Sequence, residues 1–199
     1  MTDPEESPCP RSRPAKADTS HWTAVVDEVV RRIRSRVDAL CADDSLRDAD
    51  ATLCSAGLPA QHAVRSPFDR LIERVDANQM QRDILLLAVV ATVEFDRVER
   101  EIGRLHGVPR ASPNVEDMMR IIGFVEPHAR VRALREFRSR ALLLRANLIE
   151  VGFGYESDTP LDLLSARVTA TYAAIDATFG VVPIEAIRSP GSGRHEFDA

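Results

Sequence analysis

A run of basic side chains between residues 128 and 145 is the part of this chain best suited to chemistry. It holds one histidine and six arginines, and Glu136 is the only acid among them. Guanidinium groups bind carboxylates and phosphates through several N–H donors, so the run predicts a surface for an anionic partner. The candidate partner-binding or DNA-binding residues are His128, Arg132, Arg135, Arg138, Arg140 and Arg145.

Residue types that carry catalysis or hold metals are scattered in this sequence. The five histidines never occur in a spacing such as His-Glu-x-x-His, and the sequence contains no glycine-rich phosphate-binding loop. The adjacent acids Glu116 and Asp117 stand at a predicted helix start, where the helix dipole favours negative charge. We therefore predict that the chain is not an enzyme and has no catalytic residue, metal site or cofactor.

The composition favours a protein of the reducing cytoplasm. Three cysteines form no Cys-x-x-Cys pair and leave an odd number, which indicates neither a disulfide framework nor a zinc site. A net charge of -5 argues against extensive coating by nucleic acid, although a local basic patch can still bind DNA. The sequence has no signal-peptide pattern and no stretch near the roughly 20 apolar residues of a membrane span. We expect a cytoplasmic protein that is not embedded in a membrane.

Capping patterns mark the starts of several helices. Ser66 is followed by proline and then by Asp69, which is the pattern of an N-cap with a capping carboxylate. The same device recurs three times, as Asn78 with Gln81, Asp96 with Glu99 and Asn114 with Asp117. The predicted helices run from Pro67 to about Val75, from Gln79 to Val93, from about Asp96 to the position before Gly107, and from Val115 to Ile122. The second of them is apolar nearly all round, which predicts the core helix of the domain.

A further helix follows after a short turn that contains glycine. It is predicted to open at Pro127 and to reach about Arg138, with Val131, Leu134 and Phe137 on its buried side. Two short helices joined in this way are typical of a helix-turn-helix.

The next segments have a β-like composition. A hairpin, or wing, is predicted from residues 142–151 and 163–170. This prediction places Arg145 on the first strand. A closing helix is expected from Thr171 to Phe179, with Gly180 as its C-terminal cap. The whole pattern predicts a mainly α-helical fold with a small β-hairpin, a winged helix-turn-helix preceded by an N-terminal helix.

The N-terminal helix has one apolar seam. Its seam could pack against its own domain or mediate self-association, since the spacing also fits a short coiled coil. We predict a disordered N-terminus at 1–18, the N-terminal helix and a loop at 19–65, the winged-helix domain at 66–180 and a flexible tail at 181–199. The seam residues are Val26, Val30, Ile33, Val37 and Leu40.

Three further segments, within about residues 66–180, are QRDILLLA at 81–88, NVEDM at 114–118 with Ile121 and Ile122, and LLS at 163–165. With these segments the chain resembles a known family, the winged-helix domain that precedes the ATPase module in a group of bacterial AAA ATPases. Some of those ATPases are encoded beside contractile injection systems. The resemblance implies a binding module without the ATPase, either a stand-alone relative or a piece of a longer protein.

We interpret the chain as a non-catalytic interaction or adaptor module that docks a protein partner, such as an AAA ATPase-linked bacterial assembly. The acidic overall charge and the resemblance favour this function. The alternative is a winged-helix DNA-binding regulator, which the arginines on the second helix of the helix-turn-helix favour.

Overall fold

The computed structural model describes residues 19–42, 66–107, 112–124, 127–152 and 160–187. The predictions of a disordered N-terminus at 1–18 and of a loop over most of 42–65 concern residues outside these ranges. The predicted flexible tail at 181–199 lies within them only up to residue 187, where Ile184–Ala186 form a 3-10 turn and Ile187 is buried. None of the described helices is both long enough and apolar enough to cross a bilayer.

The described residues form helices with one small antiparallel sheet. Two short 3-10 turns occur at Arg135–Phe137 and Ile184–Ala186. In chain order the elements are α1 Thr19–Cys41, α2 Pro67–Val75, α3 Gln79–Val93, α4 Phe95–His106, α5 Val115–Ile122, α6 Pro127–Leu134, α7 Leu142–Arg145, β1 Ile149–Gly152, α8 Pro160–Ser165, β2 Arg167–Ala170 and α9 Tyr172–Thr178. This mainly α-helical architecture with a two-stranded hairpin confirms the predicted fold class.

Helix α3 is the centre of the core. Every residue from Ile84 to Ala91 is buried, because α4, α5, α7 and β2 pack around it. Its start follows the prediction, since Asn78 and Gln81 form a reciprocal capping box. Asn114 and Asp117 form the same box at the start of α5. Each box satisfies backbone N–H groups that a helix end leaves unpaired, which explains why these boundaries could be predicted.

Helix α4 begins differently from the prediction. Asp96 does not cap it, because α4 starts at Phe95 and only Glu94 separates it from α3. The N–H of Glu94 still donates to the carbonyl of Val90, so no extended capping residue fits between the two helices. The C-terminal end does follow the prediction, with Gly107 in the left-handed conformation at φ 67°.

Helix α1 packs against α4 and joins the same core. Val26, Val30, Ile33 and Val37 are buried, and Leu40 is half-buried. The expectation of self-association through this seam is therefore wrong, because the chain itself covers the apolar side chains that a second copy would need.

The hairpin is shorter than predicted. Residues 142–145 form α7 and residues 160–165 form α8, so the strands occupy only 149–152 and 167–170. A short apolar run fits a buried helix as well as a strand. Here the backbone is helical, because the N–H of Arg145 donates to the carbonyl of Ala141 and the N–H of Ala146 donates to that of Leu142. The strands pair with Ile149 opposite Ala170, and Asn114 forms an isolated bridge with Arg167 on the other edge of β2.

Candidate partner-binding surface

The helix-turn-helix is formed by α5 and α6. Gly123 ends α5 at φ 100°, a conformation that favours glycine, and its N–H donates to the carbonyl of Met119. Pro127 opens α6. Helix α6 is shorter than predicted, because it ends at Leu134 and changes to a 3-10 turn rather than continuing to Arg138.

The basic surface consists of exposed side chains on α6, the 3-10 turn and the bend after it. We use this name for His128, Arg132, Arg135, Arg138 and Arg140. Among the described residues, none of the five lies within ion-pair distance of a carboxylate. Eight described arginines outside this surface do have carboxylate partners; they are Arg31, Arg32, Arg34, Arg82, Arg97, Arg104, Arg120 and Arg130. The basic surface therefore keeps its donors available for a partner.

Arg145 does not belong to this surface in the way that the sequence predicts. It lies on α7 instead of the first wing strand, and it has an interaction of its own. Five of the six candidate residues therefore lie on α6, the 3-10 turn and the bend after it. The sixth, Arg145, lies on α7 and already takes part in another interaction.

The buried side of α6 also differs from the prediction. Ala133 and Phe137 are buried and Leu134 is half-buried, but Val131 is 59% exposed. The buried residues Ala133 and Phe137 are four positions apart, so the buried face of this segment passes through Ala133 and not through Val131. An apolar side chain is thereby exposed next to Arg132.

Two acidic residues, Glu136 and Glu116, lie near the basic surface. Glu136 is half-buried, and its Oε2 accepts a hydrogen bond of 2.8 Å from Nε2 of Gln81. The same Gln81 also caps α3, so the 3-10 turn is attached to the start of the core helix. Glu116 on α5 lies 3.9 Å from Arg130 and pairs more closely with Arg120. Neither acid neutralises the five residues of the basic surface.

A buried arginine of α1 packs against the end of α5, where the helix-turn-helix begins its turn. Arg36 of α1 is only 6% exposed, and its Nε donates to the carbonyl of Arg120 near the C-terminal end of α5. Burial lowers the pKa of its guanidinium, and its two terminal nitrogens have no hydrogen-bond partner. The negative end of the α5 dipole offsets part of this cost. The sequence carries a signal for this residue, since Arg36 lies three positions after Ile33 and beside Val37 on the buried seam.

No cluster of three metal-binding side chains occurs in the part of the chain that the structure describes. Cys41 is exposed. The side chains of the basic surface are hydrogen-bond donors, so this surface suits the binding of anions through hydrogen bonds and charge.

The sequence matches the family model of a winged helix domain, variant, over residues 2–171. No curated protein and no solved structure matches the chain. The order of helix, helix, turn, helix and hairpin agrees with this family.

Proposed function

Because the chain belongs to the winged helix domain variant family, whose members are DNA- or protein-binding modules, we propose that its basic surface docks the acidic region of a protein partner. The observation that carries the proposal is the set of four exposed arginines without carboxylate partners, next to the exposed Val131. Arginine combined with an apolar contact is typical of protein interfaces.

The shape of the basic surface favours a protein over DNA. A recognition helix places its base-reading side chains along one continuous helix in the major groove. Here Arg132 is on α6, Arg135 is on the 3-10 turn, and Arg138 has extended backbone at ψ 156°. The arginines consequently follow a bent segment, which suits an irregular acidic surface better than a straight groove. The net charge of -5 adds long-range repulsion of a polyanion.

We infer that the partner belongs to a larger assembly. The resemblance to domains that precede bacterial AAA ATPase modules supports an adaptor that links such an ATPase, in the cytoplasm, to another component. In this role the module contributes binding and no chemistry of its own.

DNA binding is the second candidate, because unpaired arginines do lie on the second helix of a helix-turn-helix followed by a hairpin. A salt titration separates the two functions. We expect wild type to show no salt-steep binding to a 20-base-pair duplex. A DNA-binding protein would instead lose about one unit of slope, in log affinity against log salt, for each phosphate contact removed by Arg132→Ala with Arg135→Ala.

Cross-linking provides the positive test. A photoreactive residue in place of Val131 should yield a protein adduct in cells, and Arg132→Glu with Arg135→Glu should greatly reduce it. The matched control is Arg74→Glu with Arg100→Glu, which changes two exposed arginines on α2 and α4 and should leave the adduct intact. Tight duplex binding at physiological salt that disappears in the Arg132 and Arg135 double variant would overturn the proposal.

A further inference from the structure

We propose that the outer edge of β1 is a second docking site, which accepts one extended strand of a protein partner with an acidic residue two positions before a basic one. The proposal is independent of the basic surface and rests on the hairpin alone.

The first step concerns the backbone of β1. The N–H of Thr171 donates to the carbonyl of Leu148, which fixes the phase of the antiparallel ladder. Hydrogen-bonded and non-bonded pairs alternate in such a ladder. Glu150 and Gly152 therefore direct their backbone groups towards β2, whereas Ile149 and Val151 direct theirs outwards. Within the described part of the chain, β1 has a neighbouring strand on one side only.

The second step concerns the space beside that edge. An open groove of about 450 Å³ follows β1. Its walls come from both strands, from α7 and from the turn after α7; they are Leu144, Asn147, residues 149–152, Arg167 and Thr169. Glu150, Gly152, Thr169 and Arg167 share the outer face of the hairpin. Side chains of an added strand would enter the groove on this face.

The third step is the charge pattern in the groove. Glu150 and Arg167 are both exposed, and neither has an ion-pair partner among the residues that the structure describes. A basic side chain on the added strand, directly opposite Glu150, would form a cross-strand pair. Gly152 has no side chain, so an acidic residue opposite it can reach across towards Arg167. Strands are about 4.8 Å apart, and two strand spacings are within the combined reach of these long side chains.

The same charges argue against a second copy of this chain at the edge. The symmetric antiparallel register that uses all outward groups pairs Ile149 with Val151 of the other copy. That register places Glu150 opposite Glu150, and like charges directly opposite each other are destabilising. Natural proteins use inward or edge charges in this way to prevent edge-to-edge pairing. The favoured occupant is thus a different protein strand of complementary charge.

The test uses the full chain, labelled with ¹⁵N, and the end-blocked pentapeptide Glu-Val-Lys-Val-Thr. Antiparallel pairing places its lysine opposite Glu150 and its glutamate opposite Gly152. We expect amide shifts confined to β1 and its surroundings. The matched control, Lys-Val-Glu-Val-Thr, has the same composition with the charges exchanged and should bind about fivefold more weakly.

Two further arms distinguish strand addition from simple charge attraction. N-methylation of the two peptide valines blocks the amides that face β1 and should weaken binding about tenfold, whereas N-methylation of the lysine should not. Glu150→Lys with Arg167→Glu should reverse the preference between the two peptides. The proposal is overturned if no β1 amide responds up to the solubility limit of the peptide. It is equally overturned if both N-methylated peptides bind alike, or if the exchanged variant keeps the wild-type preference.

Discussion

His106 at the end of α4 and Asp117 in the first turn of α5 are joined by a hydrogen bond of 2.6 Å between Nε2 and Oδ1. The other oxygen of Asp117 accepts the N–H of Asn114 at 3.1 Å and so completes the α5 cap. One fully buried carboxylate thereby ties the end of one helix to the start of the next. This hydrogen bond holds the end of α4 next to the first turn of α5, which is the first helix of the helix-turn-helix.

Asp117→Ala should remove both hydrogen bonds and leave buried donors unsatisfied, which costs about 2–3 kcal/mol of unfolding free energy. His106→Ala should cost about 1 kcal/mol, because the histidine is partly exposed and water can replace it. Urea unfolding of both variants and of the double variant measures the coupling. Additive effects would show that the two side chains act separately.

Glu136→Gln should tighten the binding of anionic peptides to the basic surface. The substitution keeps an oxygen that can accept from Gln81 and removes the only negative charge of the basic run, so polyglutamate binding should strengthen about twofold to fivefold. The stability cost should be about 1 kcal/mol or less, because a neutral acceptor replaces a charged one. Fluorescence anisotropy and a thermal melt check the two effects. Unchanged affinity would show that Glu136 does not face the bound anion.

Local signals made much of the fold predictable. Asn78 and Asn114 cap their helices through residues only three positions away, so the sequence alone indicates where α3 and α5 begin. The strand boundaries were not predictable in this way. Leu142, Leu143 and Leu144 form a short apolar run that fits a strand as well as a helix, and only packing against the rest of the chain makes it helical.

The residue types of the candidate site could be predicted from the sequence, but its hydrogen bonds could not. The arginines of the basic surface can be identified from the sequence, whereas the contact of Gln81 with Glu136 spans 55 positions. The exposure of Val131 depends on which face of α6 packs against the core, and the burial of Arg36 depends on how α1 meets α5. These are tertiary relationships, which no local pattern encodes.

Leu86→Asp should abolish the cooperative unfolding transition. Leu86 is buried on α3, the helix that the core surrounds, so the variant would bury a carboxylate without a partner. The cost of several kcal/mol is comparable with the whole stability of a small domain. Val93→Asp, at the more exposed end of the same helix, is the control and should retain a cooperative melt. A wild-type melting temperature for Leu86→Asp would contradict the central position of α3.

Glu101 should make the fold sensitive to acid. Burial raises the pKa of this carboxyl, but hydrogen bonds from Arg34 and Arg104 outweigh burial and hold the pKa below its ordinary value. A carboxyl with a lower pKa in the folded than in the unfolded state stabilises the fold above the unfolded pKa. That stabilisation is lost as the pH falls through the folded pKa.

Glu101→Gln should therefore reduce the unfolding free energy by about 2 kcal/mol at neutral pH, and the difference from wild type should shrink as the pH falls below about 5. Chemical unfolding across this pH range provides the measurement. Glu99→Gln on the same helix is the control, because Glu99 has no ion pair among the described residues. If Glu101→Gln and wild type lost stability in parallel on acidification, the ion pairs of Glu101 with Arg34 and Arg104 would not contribute to the acid response.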